Sequence, residues 1–430
     1  MQLRQPLNLR KPLQMTAHKI RPTLNLPFAA SGSLGPLITY TGQNGTYFNS
    51  SGTLTAATTN VARFDYNPST LIARGLLIEE ARTNLALRST DFGTTWALFN
   101  ATVAVDQVTA PDGTVAADKL KEDNATAVHY TSQNVTITAG ATYTVSLFAK
   151  QAEDRYLQIG FDSGSSNGGY ATFDLQAGTV TQSANKGTGS GIAASIQAIN
   201  NSWYRLIVTT VVDASSTAGR MFVVLSNSAT PGFAPSYLGT TGNGAYVWGA
   251  QIEAGAFATS YIATAAASVT RAADVASITG ANFTSFWNAT QGTIVANVAK
   301  SSAATVGYAF VVSDGTGSNR QRVFLNTDNN QYATVTTGGV EQLTGTNLNL
   351  GSWAANTAKK VTIAYQANNF AGTSGGAAPA TDSTVNLPTV DRLYLGQNEN
   401  GTGSYLNGWI SSLQIYPVGL TSTQIQTLST

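Results

Sequence analysis

The 430 residues carry 23 basic and 22 acidic side chains for a net charge of +1, and charged residues make up only 10% of the chain, against roughly 25% in an average soluble domain. The absence of cysteine removes disulfides, thiolate metal centres and cysteine nucleophiles together. A near-zero net charge without an aromatic-plus-basic platform argues against nucleic acid as a partner. No apolar run approaches the ~18 to 20 residues of a membrane span and no apolar block marks a secretory signal near the N-terminus, so a soluble chain without membrane insertion is expected.

Residues 1–35 read as an extended basic anchoring arm. They hold Arg4, Arg10, Lys11, Lys19 and Arg21 with no acid, and Pro6, Pro12, Pro22 and Pro27 block a continuous helix and favour polyproline-like or edge-strand backbone. Leu24, Leu26 and Phe28 are too apolar for an inert linker. The echo of Pro6-Leu7-Asn8-Leu9 in Thr23-Leu24-Asn25-Leu26 suits docking on a partner by strand addition; the alternative is a disordered tail. Residues 36–85, rich in Gly and Thr with short apolar runs, predict a small β connector or collar.

Between 86 and 276 the alternation is that of a β-sandwich: Tyr143, Val145 and Leu147 share one face, Leu157, Ile159 and Phe161 another, and Trp203 to Val208 is nearly continuously apolar. An Ala-rich stretch, 260–280, connects to a last unit, 283–430. There the runs 292–298, 321–325, 361–365 and 406–416 predict a second sandwich, closed by a short helix capped by Thr421 and carrying Ile425 and Leu428. The expected fold class is therefore all-β: an extended arm, a small β connector and two β-sandwich domains.

The segments Ala62-Arg63-Phe64-Asp65-Tyr66 and Arg74 to Leu85, with Trp203-Tyr204-Arg205, Tyr246 to Gly255 and Thr270-Arg271-Ala272-Ala273-Asp274, resemble a module of tailed-bacteriophage virion proteins of the tail-fibre or head-spike and head-fibre type, over roughly residues 36–276. The resemblance implies a carbohydrate-binding-module-like jelly roll in the central unit. Tyr405 to Ile410 and Ile415 to Thr421 resemble the laminin-G and concanavalin-A-like lectin sandwich, although no set of acids for a lectin calcium is evident. For function, the resemblance implies a non-catalytic virion-surface protein, made in the bacterial cytoplasm and displayed on the particle. Its partners would be capsid, portal-proximal or tail components through the arm, itself as a homotrimer, and host-surface polysaccharide. The alternatives are a capsid decoration protein without a receptor and a polysaccharide depolymerase.

Motifs for chemistry are few. The two histidines, His18 and His129, sit in no nucleophile elbow. On a strand, Glu79 and Glu80 would point to opposite faces, so one is expected to pair with an arginine and the other to be exposed, rather than to form a hydrolytic pair. Asp112-Gly113, Asp314-Gly315 and Asp328-Asn329-Asn330 read as turns, so neither a metal nor another cofactor is expected. Sugar binding needs aromatic faces ringed by amides and hydroxyls. Trp203, Trp248 and Trp409 lie in apolar strands and are expected in the core, whereas Tyr130, Tyr156, Tyr170, Tyr237, Tyr332 and Trp353 lie beside turns and are the candidate glycan contacts.

Overall fold

The computed structural model describes residues 20–164, 166–345 and 347–430. The protein is almost entirely antiparallel β-structure arranged as two sandwiches. In the first, a six-stranded sheet in the order Ser190–Ala198, Tyr204–Val211, Thr142–Gln151, Gly244–Ala254, Val115–Glu122, Ala101–Thr109 faces a second six-stranded sheet. That second sheet runs Thr179–Lys186, Gly168–Asp174, Tyr156–Ser163, Ala218–Ser226, Tyr130–Thr136, Ala97–Phe99. Strict alternation decides which side chains meet between them: Val145, Leu147, Leu206 and Val208 pack against Leu157, Ile159, Phe161 and Val223, all fully buried.

The second sandwich is built from both ends of the chain. One eight-stranded sheet contains Ala380–Asp382, Asn369–Ser374, Lys359–Gln366, Gln291–Lys300, Gly408–Tyr416, Ala73–Ile78 and Phe64–Tyr66, and Leu24–Leu26 also pairs with Gly408–Tyr416. Its partner sheet begins with Thr39–Thr41 beside Val275–Thr279 and continues through Arg392–Leu395, Gly307–Ser313, Arg320–Leu325 and Asn330–Thr337. The first sandwich is thus an insertion within the second. Where the chain leaves and returns, Arg82–Asn84 and Val269–Arg271 hydrogen-bond to each other as a two-stranded ribbon.

This connectivity corrects two sequence expectations. Leu24, Leu26 and Phe28, assigned to the arm, are 4%, 5% and 1% exposed in the core of the second sandwich, and Leu24 to Leu26 pair with Ile415 to Leu413. The edge-strand conformation was expected, but the groove it fills belongs to its own chain. Residues 36–85 are likewise no separate collar, because Thr39–Thr41, Phe64–Tyr66 and Ala73–Ile78 are strands of that same sandwich. Arg21 is exposed, and Arg4, Arg10, Lys11, Lys19 and His18 lie outside the described residues.

Local chemistry explains why these short strands close. Gly75 adopts φ of +104°, and a Cβ there would lie 2.3 Å from the Ile410 carbonyl oxygen, so only glycine lets this strand run beside Gly408–Tyr416. At the C-terminus, Thr421 and Gln424 form a reciprocal capping box for Ser422–Leu428, which lays Ile425 onto Ala364 and Ala371. Among the described residues no helix is long and apolar enough to cross a membrane.

Candidate functional site: a cleft between the sandwiches

The site begins with a buried ionic junction. Arg63, 1% exposed, donates to Glu79 Oε2 at 2.7 Å, to Ser260 Oγ at 2.7 Å, to the Thr46 carbonyl at 3.0 Å and to Asp274 Oδ2. Arg271 lies 3.6 Å from Glu79 and 3.8 Å from Asp274. The guanidinium of Arg63 packs on Gly45, where a Cβ would lie 2.8 Å from its Cδ. Burial alone would raise the Glu79 carboxyl, but Arg271 and Arg63, with the Ser260 donors, hold it down to about 2. Asn84 completes the lock: its amide donates to the carbonyls of Ala250 and Ile262 and accepts from the N–H groups of Ala86 and Ile252.

Beside this junction a cleft of about 510 Å³ opens between the sandwiches, within the ~300 to 1,000 Å³ range of small-ligand sites. Its floor is the outer face of the first sandwich. Because Leu206 and Val208 point into that core, Arg205, Ile207 and Thr209 on the same strand must point out. Its walls are the hairpin Thr46–Phe48 and Leu54–Ala56, the segment 256–261, and Asn407, Gly408 and Trp409 of the second sandwich.

Two cations line it. One, Arg74, sits 4.4 Å over the Trp409 ring and 3.2 Å from Asp65, while Trp409 Nε1 donates to the same carboxylate at 2.8 Å. Burial raises the Asp65 carboxyl, opposed by Arg74 and by the N–H of Phe48. The other, Arg205 on the floor strand, is 7% exposed. Its Nη2 donates to Ser146 Oγ at 2.9 Å, and the Phe148 ring lies 5.5 Å from its Cζ. Its enclosed Nε has no partner, and among the described residues no carboxylate comes within ion-pair distance of it. Glu253 and Glu79 favour its charge from further off, yet burial outweighs them and lowers its pKa. Both acids are already engaged: Glu253 accepts from Thr259 N at 3.1 Å and Thr259 Oγ1 at 2.5 Å, and Glu79 is held by Arg63 and Ser260.

None of the six predicted glycan contacts lines this cleft. Tyr130 stacks on Phe99 at 4.5 Å, and Tyr170, only 6% exposed, packs with Phe222 on the same outer face. A loop lies over that face, bound on both sides of the Gln158 amide through Gly232 and Ala234. Tyr156 lies under Arg155, Tyr237 donates to Glu122, and Tyr332 stacks on Phe324 at 5.5 Å while donating to Asp328 at 2.7 Å. Trp353, expected to be exposed, is 5% exposed in the core of the second sandwich, with Nε1 donating to the Asn326 carbonyl at 3.1 Å; a neighbouring turn does not keep so large a ring in solvent. Conversely, Trp203 and Trp248 are buried as expected, whereas Trp409 is half-buried at the cleft.

The remaining motifs are structural. Glu79 is ion-paired, and Glu80 is half-buried, paired with Arg82 at 2.6 Å and bonded to Asn407. Asp112, Asp314 and Asp328 each accept from the backbone N–H two residues on, as turns do. His129 is fully buried, with its ring nitrogens on the carbonyls of Asn100 and Tyr237. Among the described residues no group of three or more His, Asp or Glu could hold a metal ion. Arg205 was missed as a site residue, although an arginine between Tyr204 and Leu206 in an apolar strand was a visible signal.

No protein-family model matches the chain, and no curated protein does. Solved structures give distant likenesses. The Ruminococcus gnavus IT-sialidase CBM40 bound to alpha2,3 sialyllactose is similar over 33% of this chain and 84% of its own, at 15% identity and a TM-score of 0.30. The NanB sialidase from Streptococcus pneumoniae is similar over 36% of this chain and 26% of its own, at 12% identity and a TM-score of 0.30. The SAP-like pentraxin from Limulus polyphemus is similar over 33% of this chain and 70% of its own, at 14% identity and a TM-score of 0.25.

Proposed function

We propose that this chain is a glycan-binding surface protein of a tailed-bacteriophage particle, of the fibre or spike type, and that it works without catalysis. One observation carries the reading. The segments that resemble the phage module, around Arg63, Asp65, Glu79 and Arg271 to Asp274, supply the buried junction that sets one sandwich against the other. They leave beside it an open cleft walled by aromatic, hydroxyl and amide groups, the mixture that saccharide recognition uses.

In this reading the basic residues Arg4, Arg10, Lys11, Lys19 and Arg21 anchor the chain to capsid, portal-proximal or tail components, and identical chains associate as a trimer. The test is direct binding of the purified chain to host-surface polysaccharide, with reducing-end release measured in parallel. Binding without release is expected. Release of reducing ends replaces the reading with a depolymerase, and absence of any binding replaces it with a decoration protein. Removal of residues 1–19 is expected to abolish incorporation into particles while leaving the melting temperature unchanged; normal incorporation removes the anchor. Sedimentation showing only monomer at high concentration removes the trimer.

A further inference from the structure

From the unpaired guanidinium at the floor of the cleft we infer that the saccharide bound there is acidic, and that its carboxylate docks on Arg205. The inference rests on the glycan-binding reading of the same cleft and narrows it to one class of sugar.

A guanidinium offers five N–H donors in a planar fork suited to a carboxylate. Arg205 is withdrawn from water, yet among the described residues only Nη2 has a hydrogen-bond partner, Ser146 Oγ, and the enclosed Nε has none. Buried cations are ordinarily paired, because leaving the charge without a counter-ion costs several kcal/mol. The other buried arginines at this junction follow that rule: Arg63 contacts Glu79 and Asp274, and Arg271 lies near both. Arg205 differs although Glu253 lies in the same sheet, two strands away, since Thr259 takes both oxygens of that carboxylate. Of the two cations lining the cleft, Arg74 is paired with Asp65, and the acids nearest Arg205 are engaged elsewhere. An arriving carboxylate would find a desolvated partner, where charge-assisted bonds are strongest. The Phe148 ring, 5.5 Å below Arg205, and Ser146 fix the fork from behind, so little side-chain entropy remains to be lost on binding.

The experiment is isothermal titration of the full chain with matched probes: oligogalacturonate against its methyl ester, and 3′-sialyllactose against lactose. At least one acidic member should bind, with its neutral counterpart weaker by at least about tenfold. Arg205→Gln should erase the difference and Arg205→Lys should retain part of it, because lysine keeps the charge and loses the fork. Arg205→Gln should also melt at or above the native temperature, since it removes a desolvated charge. Should it fail to fold, the Nε–Hε resonance of Arg205 in the native chain gives the same answer, by shifting with the acidic probe and not with its ester. Equal binding of acidic and neutral members, or an acid preference that survives Arg205→Gln, overturns the inference and leaves the glycan cleft standing. Tighter binding of polyglutamate than of any acidic saccharide also overturns it. Failure of every probe, acidic and neutral, overturns the cleft reading with it.

Discussion

Replacing Arg63 by methionine tests the junction on which the cleft depends. The side chain is 1% exposed and contacts both Glu79 and Asp274, so its loss strands two buried carboxylates whose remaining cation, Arg271, lies at 3.6 and 3.8 Å. Breaking a buried pair by removing one partner costs about 3 to 5 kcal/mol, and two acids are involved, so the upper end applies. At roughly 2 to 4 °C per kcal/mol for domains of this size, the melting temperature should fall by about 10 to 20 °C. Differential scanning calorimetry of Arg63→Met, of Glu79→Gln and of the double variant checks it. The double variant should be less destabilised than the sum, because glutamine no longer needs the cation. A loss below about 1 kcal/mol, or strict additivity, would refute the reasoning.

The same junction gives a pH dependence. Glu79 has an ordinary value of 4.5 and is held to about 2 in the fold; stabilisation of about 3 kcal/mol is therefore present above pH 4.5 and lost as pH falls through 2, and Glu79→Gln should flatten that limb of an acid melt. Asp154 runs the other way: burial first, then the Glu122 carboxylate, push it up to about 7. The fold then binds the proton that the unfolded chain has released, so stability declines as pH rises from about 4 through 7, and Asp154→Asn should remove this decline in melting curves at pH 5 and 8. Truncation through residue 31 should cost roughly 5 to 9 kcal/mol in chemical denaturation, since Leu24, Leu26 and Phe28 leave the core at about 1.5 to 3 kcal/mol each; a truncated chain with native stability would contradict the strand pairing. Gly75→Ala places a Cβ against the Ile410 carbonyl at a positive φ and should destabilise by more than about 1 kcal/mol, checked by the urea midpoint.

The long strands were legible because their signal is local. The alternations at 143–147, 157–161 and 361–365 recur in Thr142–Gln151, Tyr156–Ser163 and Lys359–Gln366, and period-two burial needs no knowledge of partners. Thr421 was readable for the same reason. Of Glu79 and Glu80, one was expected to pair with an arginine and the other to be exposed, whereas both are paired and Glu80 is half-buried. The domain plan was not legible. Leu24–Leu26 pairs with Ile415 to Leu413, at the far end of the sequence, and three apolar alternations in a proline-spaced segment look alike whether the groove is foreign or their own. The cleft was hidden for a related reason: Arg205, Phe148 and Trp409 lie on three strands distant in sequence, and only the outward register of each brings them to one surface.

Synthesis from the N-terminus gives the order of assembly. The inserted sandwich has all its strands once residue 254 has been made, but the outer one lacks Gly408–Tyr416 until residue 416 has been made. At ~5 to 20 residues per second, Leu24 and Leu26 wait about 20 to 80 s before the strand they pair with emerges, although Phe28 can meet Phe64 much sooner. A holding chaperone at the ribosome, or slow synthesis in the cold, should change the yield of folded protein far more than it changes the stability of the finished molecule.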